Sequence, residues 1–109
     1  MPNTPALIRH GVTGLYALQE VSSKQRETAQ HILMSIGSAL WLEDEAMMDA
    51  VTAISGSGPA YFFLLMEAME EAAARLGLDS AVARLLAQQT ALGAARIAME
   101  SEEGPAELR

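Results

Sequence analysis

The spacing of apolar residues predicts both strands and a helix in the first third of the chain and helices in the remainder. A loop with two prolines is followed by a strand-like run at 13–18, and residues 38–42 form a second short apolar run. Between them, apolar residues recur at helical spacing over about 23–36, after a Ser-x-x-Gln segment at 22–25 that is typical of a capping box. We therefore predict a strand, a helix ended by Gly37, and a second strand that pairs with the first.

The remaining two thirds of the chain have helical periodicity. Negative charge at 43–45 suits a helix N-terminus, and Gly77 and Gly104 mark breaks between helices. Asp79 or Ser80 is expected to cap the last long helix. The fold class is therefore mainly α, and because the sequence stops where a new element starts, we expect the natural chain to be longer. The predicted helices cover about 43–54, 59–76 and 80–101, with the first turn of a further helix at 105–109.

Six consecutive residues leave the helix at 59–76 without a polar face. They are Tyr61, Phe62, Phe63, Leu64, Leu65 and Met66. A helix that is apolar all round must be buried on every side, and a chain of 109 residues has little core in which to bury it. We therefore expect the chain to associate into at least a homodimer.

Composition narrows the range of partners and compartments. The formal net charge of −7 and the pI near 4.6 disfavour nucleic acid, because phosphate backbones would be repelled. The absence of cysteine excludes disulfides and thiolate zinc sites and favours a reducing cytoplasm. The longest uncharged run, 50–66, is interrupted by Ser, Gly and Pro, and the polar start is no secretory signal, so we expect no membrane partner.

Few side chains suggest chemistry. His10 and His31 have no second ligand at metal-binding spacing, so no metal site is predicted. Ser55 and Ser57 have no histidine partner in a recognisable motif, which argues against nucleophilic catalysis. Two interpretations of these serines stay open: with the neighbouring glycine amides they hold a carboxylate at the positive end of the following helix, or they simply cap that helix.

The Gly56-Ser57-Gly58 segment resembles part of a dinucleotide-binding loop, but its surroundings differ. Such a loop needs Gly-x-Gly-x-x-Gly between a strand and a helix, with a second strand beyond the helix. Here the third glycine position is Tyr61, whose ring would block the close approach of helix and strand, and helical periodicity resumes after Gly77. We interpret the segment as a glycine turn between helices, with Pro59 at the first helical position.

Several segments together resemble the pyrroline-5-carboxylate reductase family, which makes L-proline in the last step of its biosynthesis. The motif Ser55-Gly56-Ser57-Gly58-Pro59-Ala60-Tyr61 is the specific one, and the similarity covers essentially the whole chain. The other matching segments are Met1–Ala6 (MPNTPA), Gly11–Gly14 (GVTG), Val51–Ile54 (VTAI), Gln89-Thr90 with Gly93–Ala95, and Glu100–Glu102 with Pro105–Arg109.

The resemblance implies two domains and a reaction. Residues 1–42 would be the C-terminal remnant of a Rossmann nucleotide-binding domain, with loop, strand, helix and strand. Residues 43–109 would be a helical dimerisation domain of the 6-phosphogluconate-dehydrogenase C-terminal-like type, incomplete at its C-terminus. The family's glycine-rich cofactor loop and its Ser/Thr-Pro-Gly-Gly-Thr substrate loop have no counterpart here. Family members transfer a hydride from NADPH or NADH to the C=N carbon of 1-pyrroline-5-carboxylate.

The family also implies site residues. By match, Asn3 and Thr4 lie close to the nicotinamide end of the cofactor, and Glu102 lies near the imino acid substrate. No catalytic residue and no metal ligand is implied, and we expect no cofactor on this chain by itself because the Rossmann half is missing. The expected partner is a second copy, in a homodimer or higher homo-oligomer in the cytoplasm. Its expected core consists of Pro59, Tyr61, Phe62, Phe63, Leu65 and Met66.

Three functional hypotheses follow from these observations. The first is that the chain is part of a proline-forming oxidoreductase whose chemistry is completed by further segments. The second is an isolated helical homo-oligomerisation module with no catalytic activity of its own. The third is a generic acidic helical adaptor, in which the Ser-Gly-Ser-Gly turn would tolerate a bulky substitution such as Gly58→Leu.

Overall fold

The computed structural model describes all 109 residues, and the chain divides into two compact units, Met1–Tyr61 and Phe62–Arg109. The predicted mainly α class is confirmed, with one small sheet in the first unit. The elements in chain order are a 3₁₀ helix (Thr4–Ile8), β1 (Gly11–Leu15), α1 (Ser23–Met34), β2 (Gly37–Trp41), α2 (Met47–Val51), a π-helical turn (Thr52–Gly56), α3 (Gly58–Arg75), α4 (Ser80–Glu100) and α5 (Pro105–Leu108).

The first unit contains the predicted strand, helix and strand. β1 and β2 pair in parallel, with Gly11 opposite Gly37 and Leu15 opposite Trp41. α1 connects them and begins with the predicted capping box, in which the Ser22 side chain accepts from the Gln25 amide and the Gln25 side chain accepts from the Ser22 amide. The pairing and the helix expected from the sequence are thus confirmed.

The first strand starts and ends earlier than the expected 13–18, and glycines explain the early start. A Cβ on Gly11 would lie 2.7 Å from the Ala6 Cβ, so only glycine lets the strand begin directly beneath the 3₁₀ helix. Gly37 has φ +144°, and a Cβ there would overlap the Gly11 carbonyl. Apolar periodicity carries no signal for such close backbone approaches.

The helix predicted from about 43 begins only at Met47. The Asp44 carboxylate accepts a hydrogen bond from the Ala46 amide at 2.9 Å, which holds a local turn in place of the first helical turn. α2 then continues into the π-helical turn, where the Ser57 amide donates to the Thr52 carbonyl at 2.8 Å. The predicted glycine turn between α2 and α3 is therefore a wide helical turn, and α3 begins at Gly58, one residue before the Pro59 that was expected at the first helical position.

The second unit consists of helices whose ends match the sequence signals. Gly77 has φ +91° after α3, and the Leu78 amide donates to the Ala73 carbonyl at 3.1 Å, as at a glycine-terminated helix. The Asp79 carboxylate caps α4 by accepting from the Ala81 amide at 2.8 Å. Ala83 and Ala87 are the buried apolar residues, and most of the larger apolar side chains of α3 and α4 are exposed.

None of the helices has both the length and the apolar character needed to cross a bilayer.

Candidate functional site

The Asn3 side chain joins three parts of the first unit. Its Nδ2 donates to the Ser55 carbonyl at 3.2 Å and lies 3.3 Å from the Ser55 Oγ. Its Oδ1 accepts from the Val12 amide of β1 at 2.9 Å. Only this orientation of the carboxamide satisfies both backbone groups, since the Val12 N–H must donate and the Ser55 C=O must accept. The N-terminal segment is therefore attached both to the strand and to the π-helical turn.

Two further hydrogen bonds attach the same segment to Gly14, which lies further along the same edge of β1 as Val12. The Met1 nitrogen donates to the Gly14 carbonyl at 2.9 Å, and the Gly14 amide donates to the Met1 carbonyl at 3.0 Å. Together with Asn3 these bonds fix the path of residues 1–3. Thr4 follows directly, at the start of the 3₁₀ helix, and is exposed. The segment that carries Asn3 and Thr4 is therefore ordered, and it presents Thr4 at the surface.

The Ser55–Gly58 turn is occupied by protein contacts. Ser55 is half-buried and bonded to Asn3, and the Ser57 amide is used within the π-helical turn. Neither serine has a histidine in hydrogen-bond contact, and His10 and His31 are both exposed. No group of three His, Asp or Glu side chains is placed to hold a metal ion. The turn thus offers backbone and hydroxyl groups but no activated nucleophile.

Glu102 belongs to the second unit, in the short turn between α4 and α5. This turn is held by the Ser101 hydroxyl, which accepts from the Glu103 amide at 3.0 Å. The Glu102 side chain is exposed, as is that of its neighbour Glu103. The carboxylate of Glu102 is therefore accessible to a ligand, and Glu103 is a natural control for it.

The apolar surface of α3 is the most conspicuous exposed feature of the chain. Each of the five consecutive residues Tyr61–Leu65 exposes between 57 and 65% of its surface, whereas Pro59 and Met66 are half-buried. A contiguous apolar surface of this kind marks an interaction site. Burying such a side chain stabilises a complex by about 1.5–3 kcal/mol relative to leaving it in water.

The sequence singles out Asn3 and the Ser55–Pro59 turn as separate features and does not indicate the hydrogen bond between them. The two positions are 52 residues apart, and hydropathy does not report a contact between two polar groups. One signal was present: Asn3 and Ser55 both lie in segments that carry the family resemblance. The other predicted site residue, Glu102, lies in the second unit.

The fold and the exposed helix define a class of protein: a helical assembly domain that follows a parallel β–α–β segment. The family model described as pyrroline-5-carboxylate reductase dimerisation matches residues 45–109. The chain therefore belongs to the pyrroline-5-carboxylate reductase family, and the resemblance seen in its motifs is confirmed.

Individual relatives agree with this assignment. The chain is 62% identical over 109 residues to the pyrroline-5-carboxylate reductase of Pseudomonas aeruginosa, covering 100% of this chain and 40% of that protein. The structure of the Coxiella burnetii reductase superposes with a TM-score of 0.93 at 48% identity, over 100% of this chain and 40% of that one. The Plasmodium falciparum reductase, solved with NADP bound, gives a TM-score of 0.92 at 32% identity, over 99% and 44% of the two chains. The chain thus spans about 40% of the length of the relatives it matches.

Proposed function

We propose that this chain is part of an oxidoreductase that reduces 1-pyrroline-5-carboxylate to L-proline with NADPH or NADH in the cytoplasm. The observation that carries the proposal is the 62% identity to the Pseudomonas aeruginosa reductase across every residue of this chain. In this assignment residues 1–42 belong to the nucleotide-binding domain and residues 43–109 to the helical dimerisation domain. The parallel β–α–β arrangement of the first unit supports the former, and the match of the family model from residue 45 supports the latter.

The residues near the proposed cofactor differ in what they can contribute. When bound, the nicotinamide cofactor supplies the hydride that reduces the C=N bond of the substrate. Thr4 is exposed, so its hydroxyl can donate to or accept from a nicotinamide carboxamide. Asn3 has its carboxamide engaged by Ser55 and Val12, so its contribution is to hold this segment in place. Thr4 thus fits a direct contact, and Asn3 fits a supporting one.

The proposed substrate contact is Glu102. Its exposed carboxylate can accept a hydrogen bond from the ring nitrogen of a protonated imino acid, which would hold the C=N bond in a fixed position. Positioning of this kind lowers the activation barrier for hydride transfer to the C=N carbon without a covalent intermediate. The absence of an activated serine in the turn at Ser55 fits this chemistry.

We also propose that the chain forms a homodimer or higher homo-oligomer through α3. The core would consist of Pro59, Tyr61, Phe62, Phe63, Leu65 and Met66. Support comes from the exposed residues of α3 and from the dimerisation family that matches this region. The net charge of −7 leaves nucleic acid an unsuitable partner.

A chimera tests the proposed activity. The matching segment of the Pseudomonas aeruginosa reductase is replaced by these 109 residues, and NADPH oxidation is followed with 1-pyrroline-5-carboxylate. We expect a turnover number within about tenfold of the parent, since a tenfold loss corresponds to only about 1.4 kcal/mol of transition-state stabilisation. A chimera that folds and assembles but does not reduce the substrate would contradict the proposal.

A second experiment tests whether the 109-residue chain binds the cofactor by itself. Titration with NADPH, followed by nicotinamide fluorescence, is expected to give no saturable signal, because no glycine-rich phosphate-binding loop is present in these residues. A clear saturable signal would show that this segment binds the cofactor without a complete Rossmann domain.

A further inference from the structure

One backbone carbonyl of the π-helical turn, that of Ser55, lacks its usual hydrogen-bond donor because of a proline in the sequence. In a helix, the Ser55 carbonyl would accept from the amide four residues later. That residue is Pro59, which has no N–H. A proline ring also crowds the carbonyl of the residue four positions earlier, and the wider π-helical turn over Thr52–Gly56 gives it room. The Ser55 carbonyl is therefore left without a helical donor.

The Asn3 side chain supplies the missing donor. Its Nδ2 reaches the Ser55 carbonyl at 3.2 Å, from a segment that is 52 residues away in sequence. The same carboxamide closes a second gap, since its Oδ1 accepts from the Val12 amide at 2.9 Å. Leaving a buried carbonyl or amide without a hydrogen bond lowers the stability of the folded state by about 1–3 kcal/mol, so both Asn3 bonds should contribute measurably to stability.

We propose that Asn3 is a positioning residue. Its side-chain Nδ2 gives the Ser55 carbonyl the hydrogen bond that Pro59, which has no N–H, cannot give, and this bond fixes the N-terminal segment to the start of α3. Asn3 then contacts neither cofactor nor substrate. It sets the position of Thr4 relative to the turn from which α3 begins. The consequence for cofactor binding and dimer formation rests on the proposed function, which assigns Thr4 to the cofactor and α3 to the dimer. The structural link between Asn3 and Pro59 does not depend on that assignment.

The variant Asn3→Asp separates the two halves of the interaction. Aspartate keeps an oxygen that accepts from the Val12 amide, but it has no N–H for the Ser55 carbonyl. Asn3→Ala removes both. Pro59→Ala restores a backbone N–H four residues after Ser55, which makes the Asn3 donor dispensable. Thr4→Ala is the matched control, because it alters the neighbouring side chain and leaves both hydrogen bonds in place.

Amide hydrogen exchange measured by NMR on the 109-residue chain is the readout. In Asn3→Asp we expect the Ser57 amide to exchange about threefold to tenfold faster, the range that corresponds to one hydrogen bond, with Val12 changed by less than about twofold. The Ser55 carbonyl ¹³C resonance should move upfield as its hydrogen bond is lost. Asn3→Ala should accelerate both Val12 and Ser57, and Thr4→Ala neither.

The Pro59→Ala background gives the decisive comparison. There, Asn3→Asp should change Ser57 exchange by less than about twofold, because the new backbone N–H serves the Ser55 carbonyl. An equal effect of Asn3→Asp in both backgrounds overturns the proposal, as does unchanged Ser57 exchange in the single variant. If Asn3→Asp prevents folding by itself, the proposal requires that it fold when combined with Pro59→Ala. Cofactor binding, activity and self-association play no part in these readouts, so failure of the proposed function is seen separately.

Discussion

The Arg26 guanidinium lies over the indole ring of Trp41, with 5.5 Å between its Cζ and the ring centroid. The same guanidinium donates to the carbonyls of Ala17, Leu18 and Val21 at 3.3–3.4 Å, and the Trp41 Nε1 donates to the Gln30 Oε1 at 2.8 Å. One side chain of α1 thus holds the irregular segment after β1 and the end of β2.

Replacing Arg26 should therefore destabilise the first unit. Arg26→Ala is expected to lower the free energy of unfolding by about 1–3 kcal/mol, because it removes the ring contact and leaves the Ala17 and Val21 carbonyls without their donor, whereas the Leu18 carbonyl still accepts from the Val21 amide. Arg26→Lys should recover less than half, since an ammonium cannot reproduce the planar fork of donors. Urea unfolding measures both. Lys24→Ala, an exposed change on the same helix, should stay within about 0.5 kcal/mol.

Two glycine substitutions should have opposite signs. Gly37→Ala is expected to cost more than about 2 kcal/mol, because φ is +144° and the added Cβ would overlap the Gly11 carbonyl. Gly93→Ala in α4 should stabilise by about 0.5–1 kcal/mol, since nothing lies within 4 Å of the added Cβ and alanine favours helix. Thermal unfolding compares the two. A destabilising Gly93→Ala would indicate that a second copy packs closely at this position.

Self-association should depend on the apolar surface of α3. Phe63→Asp is expected to raise the dimer dissociation constant at least about tenfold, because burial of one phenylalanine contributes about 1.5–3 kcal/mol and the charge must be desolvated. Met99→Asp on α4 is the control: this residue is 86% exposed, lies outside the proposed core, and should leave the constant within about threefold. Sedimentation velocity measures both, and a well-folded wild-type monomer at micromolar concentration would contradict the proposed dimer.

The role of Glu102 can be separated from that of its neighbour in the chimeric reductase. Glu102→Ala should raise KM for 1-pyrroline-5-carboxylate at least about tenfold, because a charge-assisted hydrogen bond to the substrate contributes about 1.5–3 kcal/mol. Glu103→Ala, which removes the neighbouring exposed carboxylate, should change KM by less than about twofold. Equal effects of the two variants would mean that only the general negative charge of this turn matters.

The elements that the sequence predicted best are those with a local signal. The capping box at Ser22 and Gln25, the glycine after α3 and the Asp79 cap each depend on residues within a few positions of one another, and all three occur in the structure. The late start of α2 at Met47 was missed because the Asp44 carboxylate competes for the backbone amide that helix formation would use.

The candidate site was harder to predict because its parts are distant in sequence. Asn3 and Thr4 were singled out only through the family resemblance, and nothing in the hydropathy pattern places Asn3 beside Ser55. The π-helical turn was missed for a different reason: we attribute it to the crowding between the Pro59 ring and the carbonyl four residues earlier, a local steric effect that hydrophobic periodicity does not report.

The parallel pairing of β1 with β2 has a consequence for the order of folding. The paired residues Gly11 and Gly37 lie 26 positions apart, and closing a flexible loop of that length costs about 3 kcal/mol of chain entropy before any strand hydrogen bond forms. α1 lies inside that loop and carries its own capping box, so it can form from local contacts. Once formed, it shortens the flexible chain that must close before β1 and β2 can pair. We expect the helix to precede the strands during folding, which makes the Ser22–Gln25 box a determinant of the folding rate as well as of stability.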